Sequence, residues 1–550
     1  MLTVTERWDR VCEGQGKATL ETVLPNVLRA RRWFGGKARV IQSVRIVEVV
    51  PIPARSTSTK LLFIRVEYRE GNPETYTLPV TAAFGEEAAQ IQRDLPQAVV
   101  APLKVQVKDR EQTGVVYDAL WNADLSRALL DAIGQGCSFK GTEGTLIASS
   151  TKAYPDLVNA VADLDPAVMK AEQSNTSVVY GDRVILKLYR RLENGVNPDW
   201  EIGRVLTAMT FPYSPPVGGA IEYVRSDGEP VTLAILQAFV RNQGDAWKHT
   251  LEAFDRYLRQ SRAQTTALDG TPAPRKPLME MVHEEVPALA HELIGLYLES
   301  AESLGQRTAE LHVALAQCRD NQNFAPEPFS SEYRRSRYES MCQLAERTCS
   351  LLKLRLNDLP STTKQEARRV LDYEPGILAR FRALLDLESS ALRIRCHGDY
   401  HLGQVLWTGQ NFMIIDFEGE PARPLSERRI KHPPILDVVG MLRSFHYAPY
   451  AVLLDQRSGP LAEDDLETLE PWIRFWYSWV SAVFLKAYLG IAGRASFWPQ
   501  SRDEVEILLD VHLLEKAVYE LGYELNNRPD WVKIPLRGII QLLDRARDAI

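Results

Sequence analysis

Residues 393–421, RIRCHGDYHLGQVLWTGQNFMIIDFEGEP, gather His397, Asp399, His401, Gln404, Asp416 and Glu418 into one short stretch bounded by apolar runs. Phosphoryl transfer calls for such a set, because it needs positioning and charge neutralisation more than covalent help. Its parts are a carboxylate beside the acceptor hydroxyl, oxygen ligands for Mg²⁺, a lysine on the phosphates and an acid that orients this lysine. Asp399 is followed five residues later by Gln404, the Asp-x4-Asn spacing of a phosphoryl-transfer loop with Gln in the Asn place. The apolar runs 405–407 and 412–415, joined by the turn TGQN, form a hairpin that returns Asp416 beside Gln404. Hard oxygens of this kind suit Mg²⁺.

Upstream, Lys187 lies on the strand VILKLY, and Glu201 follows fourteen residues later at the start of a helix, a pair suited to clamping a nucleotide. Ser174, Asn175, Thr176 and Ser177 offer hydroxyl and backbone donors at a turn before that strand, though the stretch lacks the glycines of a Gly-rich loop. Taken singly, the Lys–Glu pair reads more often as a structural ion pair, and the two aspartates read equally as turn residues. Their joint order along the chain favours chemistry. The sequence has no Walker A pattern. His397 and His401 lie in loop context without a third ligand nearby, so holding the loop is preferred to a zinc pair.

These groups need elements to carry them. The runs from Val40 to Val80 are β-branched and broken by Pro, Gly and Asn, which predicts a small antiparallel sheet. Leu125, Leu129, Leu130 and Ile133 keep helical spacing, and Gly181-Asp182 marks a two-residue hairpin before Lys187. Ile202, Val205, Leu206 and Met209 share a helical face, VTLAILQAFV is a buried strand, and beyond Gly244 long helical patterns dominate. DGTPAPRKP from Asp269 reads as an exposed loop. The expected fold is α+β, with subdomains at 1–110, 111–240 and 241–550.

A chain of 550 residues supports more than one core. A net charge of −7 without a Lys/Arg run argues against nucleic acid, and six scattered cysteines argue for reduced thiols in a cytoplasmic protein. The N-terminus becomes charged too early for a secretory signal. Arg474 and Lys486 within the most apolar segment favour a buried helix over a membrane span.

HGDYHLGQVL with IIDFEGEP resembles the aminoglycoside phosphotransferase-like kinases. RRWFGGKAR (31–39), the stretch 172–198, LGQRTAELHVALA (304–316) and the segment from Tyr519 to Ile539 resemble the maltokinases within that group. The resemblance implies a bilobal protein-kinase-like fold with an N-terminal cap and a mostly helical C-lobe. It implies ATP and Mg²⁺ as cofactors and maltose as acceptor, giving maltose 1-phosphate for α-glucan synthesis, with trehalose synthase as a partner in a separate chain. Residue by residue, Asp399 resembles the base, Gln404 and Asp416 the Mg²⁺ ligands, and Lys187 with Glu201 the ATP clamp. LQAFV at 236–240 resembles the hinge that binds adenine by backbone groups, which makes Gln237 and Phe239 candidates. Glu524, Asn527, Arg528 and Tyr523 are substrate-side candidates, with a capped helix end as the plainer alternative for that motif. His401 and Glu418 join the substrate candidates. A kinase for another sugar such as glucosamine, or a silent ATP-binding scaffold, are the alternatives.

Overall fold

The computed structural model describes residues 1–550 apart from 55–57, 109, 159–164, 170–173, 226–227, 265–273, 275, 455–462 and 545–550. Glu172 and Gln173, and most of the DGTPAPRKP stretch, therefore lie outside the described residues. The chain divides into two compact units, Met1–Arg241 with Pro421–Arg428, and Asn242–Glu420 with Arg429–Ile550.

The first unit holds two seven-stranded sheets. One comprises β1 (Leu2–Thr5), β2 (Ile41–Pro53), β3 (Ser58–Tyr68), β4 (Glu74–Phe84), β5 (Val99–Val107) and β6 (Arg110–Asp118), in the order β1-β5-β6-β4-β3-β2. The antiparallel sheet expected between Val40 and Val80 is its β2–β4 portion, and the sheet runs on to Asp118. The second comprises β7 (Ser138–Lys140), β8 (Gly144–Ser150), β9 (Pro166–Val168), β10 (Asn175–Tyr180) and β11 (Val184–Tyr189). A two-residue β12 (Arg191–Leu192) leaves it to pair with β4, and β13 (Val217–Arg225) and β14 (Val231–Ala238) complete it in the order β7-β8-β13-β14-β11-β10-β9.

Around these sheets lie α1 (Gly14–Ala30), α2 (Gly85–Asp94), α3 (Ala123–Gln135), α4 (Tyr154–Val158) and α5 (Pro198–Ala208). In α3 the expected Leu125, Leu129, Leu130 and Ile133 are all buried. Asn122 caps its start and Gly136, at φ 64°, ends it in the left-handed conformation that glycine adopts freely. In α5, Ile202 and Leu206 are buried, whereas Val205 is half-buried and Met209 is 36% exposed. The hairpin before Lys187 has three loop residues, 181–183, instead of two. Tyr180 pairs with Val184, and Gly181 takes the positive φ that starts the turn.

The second unit is mostly helical: α6 (Ala246–Gln264), α7 (Leu278–Met281), α8 (Ala288–Ile294), α9 (Tyr297–Ala316), α10 (Ser331–Arg355), α11 (Ser361–Asp372) and α12 (Glu374–Asp386), followed later by α14 (Ile435–Leu454), α15 (Glu463–Ala492), α16 (Arg502–Asn527) and α17 (Lys533–Asp544). The short α13 (Leu425–Arg428) belongs to the first unit. Two small two-stranded pairs, β15 (Glu327–Pro328) with β16 (Leu392–Arg393) and β17 (Val405–Trp407) with β18 (Phe412–Ile414), interrupt the helices. The most apolar expected helix is α15, with Trp476 and Phe484 fully buried. No helix among the described residues is long and apolar enough to cross a membrane. All six cysteines are free.

Candidate active site

The loop that carries His397, Asp399 and His401 in the second unit is held by Asp437, in the first turn of α14. Its buried carboxylate accepts the His397 N–H at 2.7 Å and the Gly398 N–H at 3.0 Å, and His312 Nε2 lies 3.1 Å away. His312 Nδ1 in turn meets the Tyr488 hydroxyl at 2.9 Å. Burial alone would raise the Asp437 carboxyl, but the His312 hydrogen bond and charge, with the Gly398 N–H, hold it below the usual range. His397 Nε2 donates to the Ile415 carbonyl at 2.9 Å, so this ring ties the loop to the strand that leads into Asp416. Holding the loop is thus the position His397 occupies, as expected of it.

Backbone contact is equally close on the other side. Gly440 faces the Tyr400 carbonyl, where a Cβ would stand 2.3 Å from the oxygen. Only a glycine lets α14 approach the loop at that distance. His401 caps the short 3₁₀ turn Leu402–Gln404 by accepting the Gly403 N–H at Nδ1, 3.0 Å, with Nε2 4.0 Å from Asp399. Burial lowers its basicity, against the pull of Asp399.

The hairpin joins β17 and β18 through the four residues 408–411, as the sequence implies. Trp407 pairs with Phe412, and Ile415 donates its N–H to the Gln404 carbonyl at 3.0 Å, so Asp416 is delivered next to the Gln404 position. Asp416 takes φ 64°, a left-handed backbone that costs a non-glycine residue about 1–3 kcal/mol. Asp is among the few types that tolerate it. Glu418 is half-buried two residues on.

In the first unit, Lys187 sits centrally in β11, between β10 and β14. Its Nζ makes an ion pair with Asp199 at 3.4 Å, and the Tyr189 hydroxyl donates to the same carboxylate at 3.2 Å. Asp199 is buried in the first turn of α5, where Asn197 caps the helix by accepting the Asp199 N–H at 2.9 Å and Pro198 starts it. The sequence reading named Glu201 for this helix; it lies two residues further on, also buried. Asp199 was missed, although an acid directly after Asn-Pro is where a capped first turn favours one.

The stretch expected as a turn of donors is mainly strand. Asn175, Thr176 and Ser177 belong to β10, and only Ser174 lies outside it. Thr176 and Ser177 are buried, and the Thr176 hydroxyl accepts from Arg190 Nε at 2.8 Å. The strand-favouring run VVY and pairing with β11 outweigh the turn preference of Ser and Asn. Gln237 lies in β14 opposite Ile185 and Val217, and Phe239 gives its N–H to the Arg183 carbonyl at 2.8 Å. The chain passes from the first unit to the second directly after this stretch, between Arg241 and Asn242.

The substrate-side candidates close α16. Glu524 is buried and receives Arg528 through two bonds of 2.6 and 2.9 Å, with the Tyr447 hydroxyl 3.4 Å away. Burial raises its carboxyl, against the Arg528 bonds. One turn earlier, Glu520 is held by Arg443 at 2.6 and 3.0 Å. The Arg528 guanidinium lies over Trp531, which stacks on Tyr447. Tyr523 is 46% exposed, and the Asn527 side chain donates back to the Tyr523 carbonyl.

Comparison with known proteins bears on both units. Residues 28–121 match the maltokinase N-terminal cap domain, and residues 239–472 match the phosphotransferase enzyme family. A glucosamine kinase of Streptacidiphilus jiangxiensis is 25% identical over 492 residues, 84% of this chain and 95% of that protein. A glucosamine kinase of Mycolicibacterium smegmatis is 23% identical over 376 residues, 68% of this chain and 78% of that protein. A solved structure of glucosamine kinase in complex with glucosamine, ADP and inorganic phosphate has a TM-score of 0.59 at 18% identity, covering 95% of this chain and 99% of that one.

Proposed function

From a chain of the aminoglycoside phosphotransferase-like kinases that carries a maltokinase-type cap, we propose an ATP-dependent maltokinase that makes maltose 1-phosphate. In this reading the Asp399 carboxylate accepts the proton of the sugar's reducing-end hydroxyl as that oxygen bonds to the γ-phosphorus. The bond from phosphorus to the bridging oxygen breaks, and ADP leaves with the electron pair. Lys187, steadied by Asp199, meets the phosphates. Gln404 and Asp416 offer hard oxygens at neighbouring hairpin positions and would hold Mg²⁺, which supplies charge neutralisation on the phosphates when bound.

The observation that carries the choice of sugar is the state of the acids at the end of α16. An ammonium-bearing sugar needs a carboxylate to spare, yet Glu520 accepts three bonds from Arg443 and Glu524 two from Arg528. Paired acids and the exposed ring of Tyr523 suit a neutral disaccharide. Glucosamine is the second reading, favoured by what the two curated relatives are named.

An acceptor screen with ATP and Mg²⁺, reading ADP release and identifying the phosphorylated product, tests both. Turnover of maltose is expected; maltose inert beside an active glucosamine overturns the sugar assignment. Asp399→Asn should abolish most turnover in a folded chain, and near-normal activity would refute the role given to Asp399.

A further inference from the structure

Residues 184–192 serve both sheets of the first unit. β11 lies inside the second sheet, and two residues on, β12 pairs with β4 of the first. At the crossing stands Arg190, 1% exposed. Its guanidinium reaches the Asp118 carboxylate at the end of β6 at 2.6 Å, the Thr176 hydroxyl on β10 at 2.8 Å and the Thr77 carbonyl on β4 at 3.4 Å. It also lies 5.0 Å over Trp33 of the RRWFGG motif. Thr77 answers with its N–H to the Arg190 carbonyl, 2.7 Å, and its hydroxyl to the Tyr189 carbonyl, 2.9 Å.

We propose that Arg190 is a positioning residue, through which the cap sheet fixes β10 and β11, the strand that presents Lys187 to the nucleotide. The inference rests on the nucleotide reading of Lys187 given above. Buried ion pairs are a poor source of stability, since apolar groups of similar volume serve as well or better. What a guanidinium adds is direction, because its rigid fork fixes three acceptors relative to one another. Here those acceptors lie on two strands of the cap sheet, β4 and β6, and on β10 of the second sheet. Side chains alternate along β11, so Lys187 and Tyr189 face Asp199 together while Arg190 departs on the opposite side. A shift at Arg190 therefore moves the end of the strand that holds both Asp199 partners.

Binding of a fluorescent ADP analogue to the full chain, with separate KM values for ATP and sugar, tests this in Arg190→Met and Asp118→Asn. Asp118→Asn keeps the shape but has one oxygen for the two donors the carboxylate serves, Arg190 at Oδ2 and the Leu120 N–H at Oδ1, so it loosens the Arg190 link and decides the matter if Arg190→Met does not fold. Nucleotide affinity about tenfold weaker is expected, with sugar KM within about twofold of wild type. Wild-type nucleotide affinity in folded Asp118→Asn, or an equal rise in both KM values, overturns the inference. A wild-type chain that binds no adenine nucleotide overturns the functional reading as well, whereas equal binding by wild type and variants sinks this inference alone.

Discussion

Replacing Asp437 by Asn tests the support of the catalytic loop without touching any group assigned to chemistry. Oδ2 takes both the His397 N–H and the His312 ring, and Oδ1 takes the Gly398 N–H. Asn has one oxygen. With that oxygen at the Oδ2 position, its NH₂ points at the Gly398 N–H, donor against donor. A hydrogen bond to a charged group contributes about 1.5–3 kcal/mol, and a buried donor left unmade costs about 1–3 kcal/mol. Loss of roughly 3 kcal/mol at the base of the loop follows, and at 1.36 kcal/mol per tenfold this corresponds to about a hundredfold in kcat if most of it is expressed as misplacement of Asp399. The assay is kcat at saturating ATP and sugar, with nucleotide binding and circular dichroism as controls for folding. His312→Gln, which keeps a donor toward Oδ2, should lose less. A folded Asp437→Asn chain with kcat within about threefold of wild type would refute the argument.

Gly440→Ala should lower kcat by about a hundredfold, because a Cβ 2.3 Å from the Tyr400 carbonyl forces the loop and α14 apart by about 1 Å. Helix content should not fall, since Ala is the better helix former by about 1 kcal/mol; normal kcat would show that the loop can yield there. Glu48, 1% exposed in β2, accepts from Val49, Glu143 and Gly144 N–H, from the N–H and hydroxyl of Thr142, and from Tyr223. Burial raises its carboxyl, but the bonds from Thr142, Tyr223 and Glu143 bring it below its ordinary value. Its stabilising effect is thus present above the unfolded value of about 4.3 and is lost as pH falls through the lower folded value. Thermal melts of Glu48→Gln should show a lower melting temperature at pH 7 and a flatter decline below about pH 4.3 than wild type; parallel curves would disprove the coupling.

Local pattern made much of this legible. The hairpin 405–414, the Lys187 strand and the helix after Asn197 follow from turn residues, β-branched runs and capping signals within a few positions of one another. Partners distant in the chain were not legible. His312 and Asp437 lie 85 and 40 residues from His397, and the only hint was a lone acid in the apolar run ILDVVGML. Thr176 and Ser177 misled because a polar type predicts a turn only where no buried partner exists. Arg190 supplies one for Thr176, from a position that reads as surface charge beside Arg191.

The match of residues 28–121 to a cap family suggests a detachable module, yet its sheet also takes β1 before that span and β12 after it. Val50, Ile52, Leu61 and Phe63 share one apolar core with Leu129, Leu146 and Leu233 of the neighbouring layer. Excision of the first 121 residues would bare that face and strip the amides of 142–144 of their acceptor, leaving a sticky fragment. Recombination between relatives would accordingly have to exchange the block up to Arg241, both sheets together.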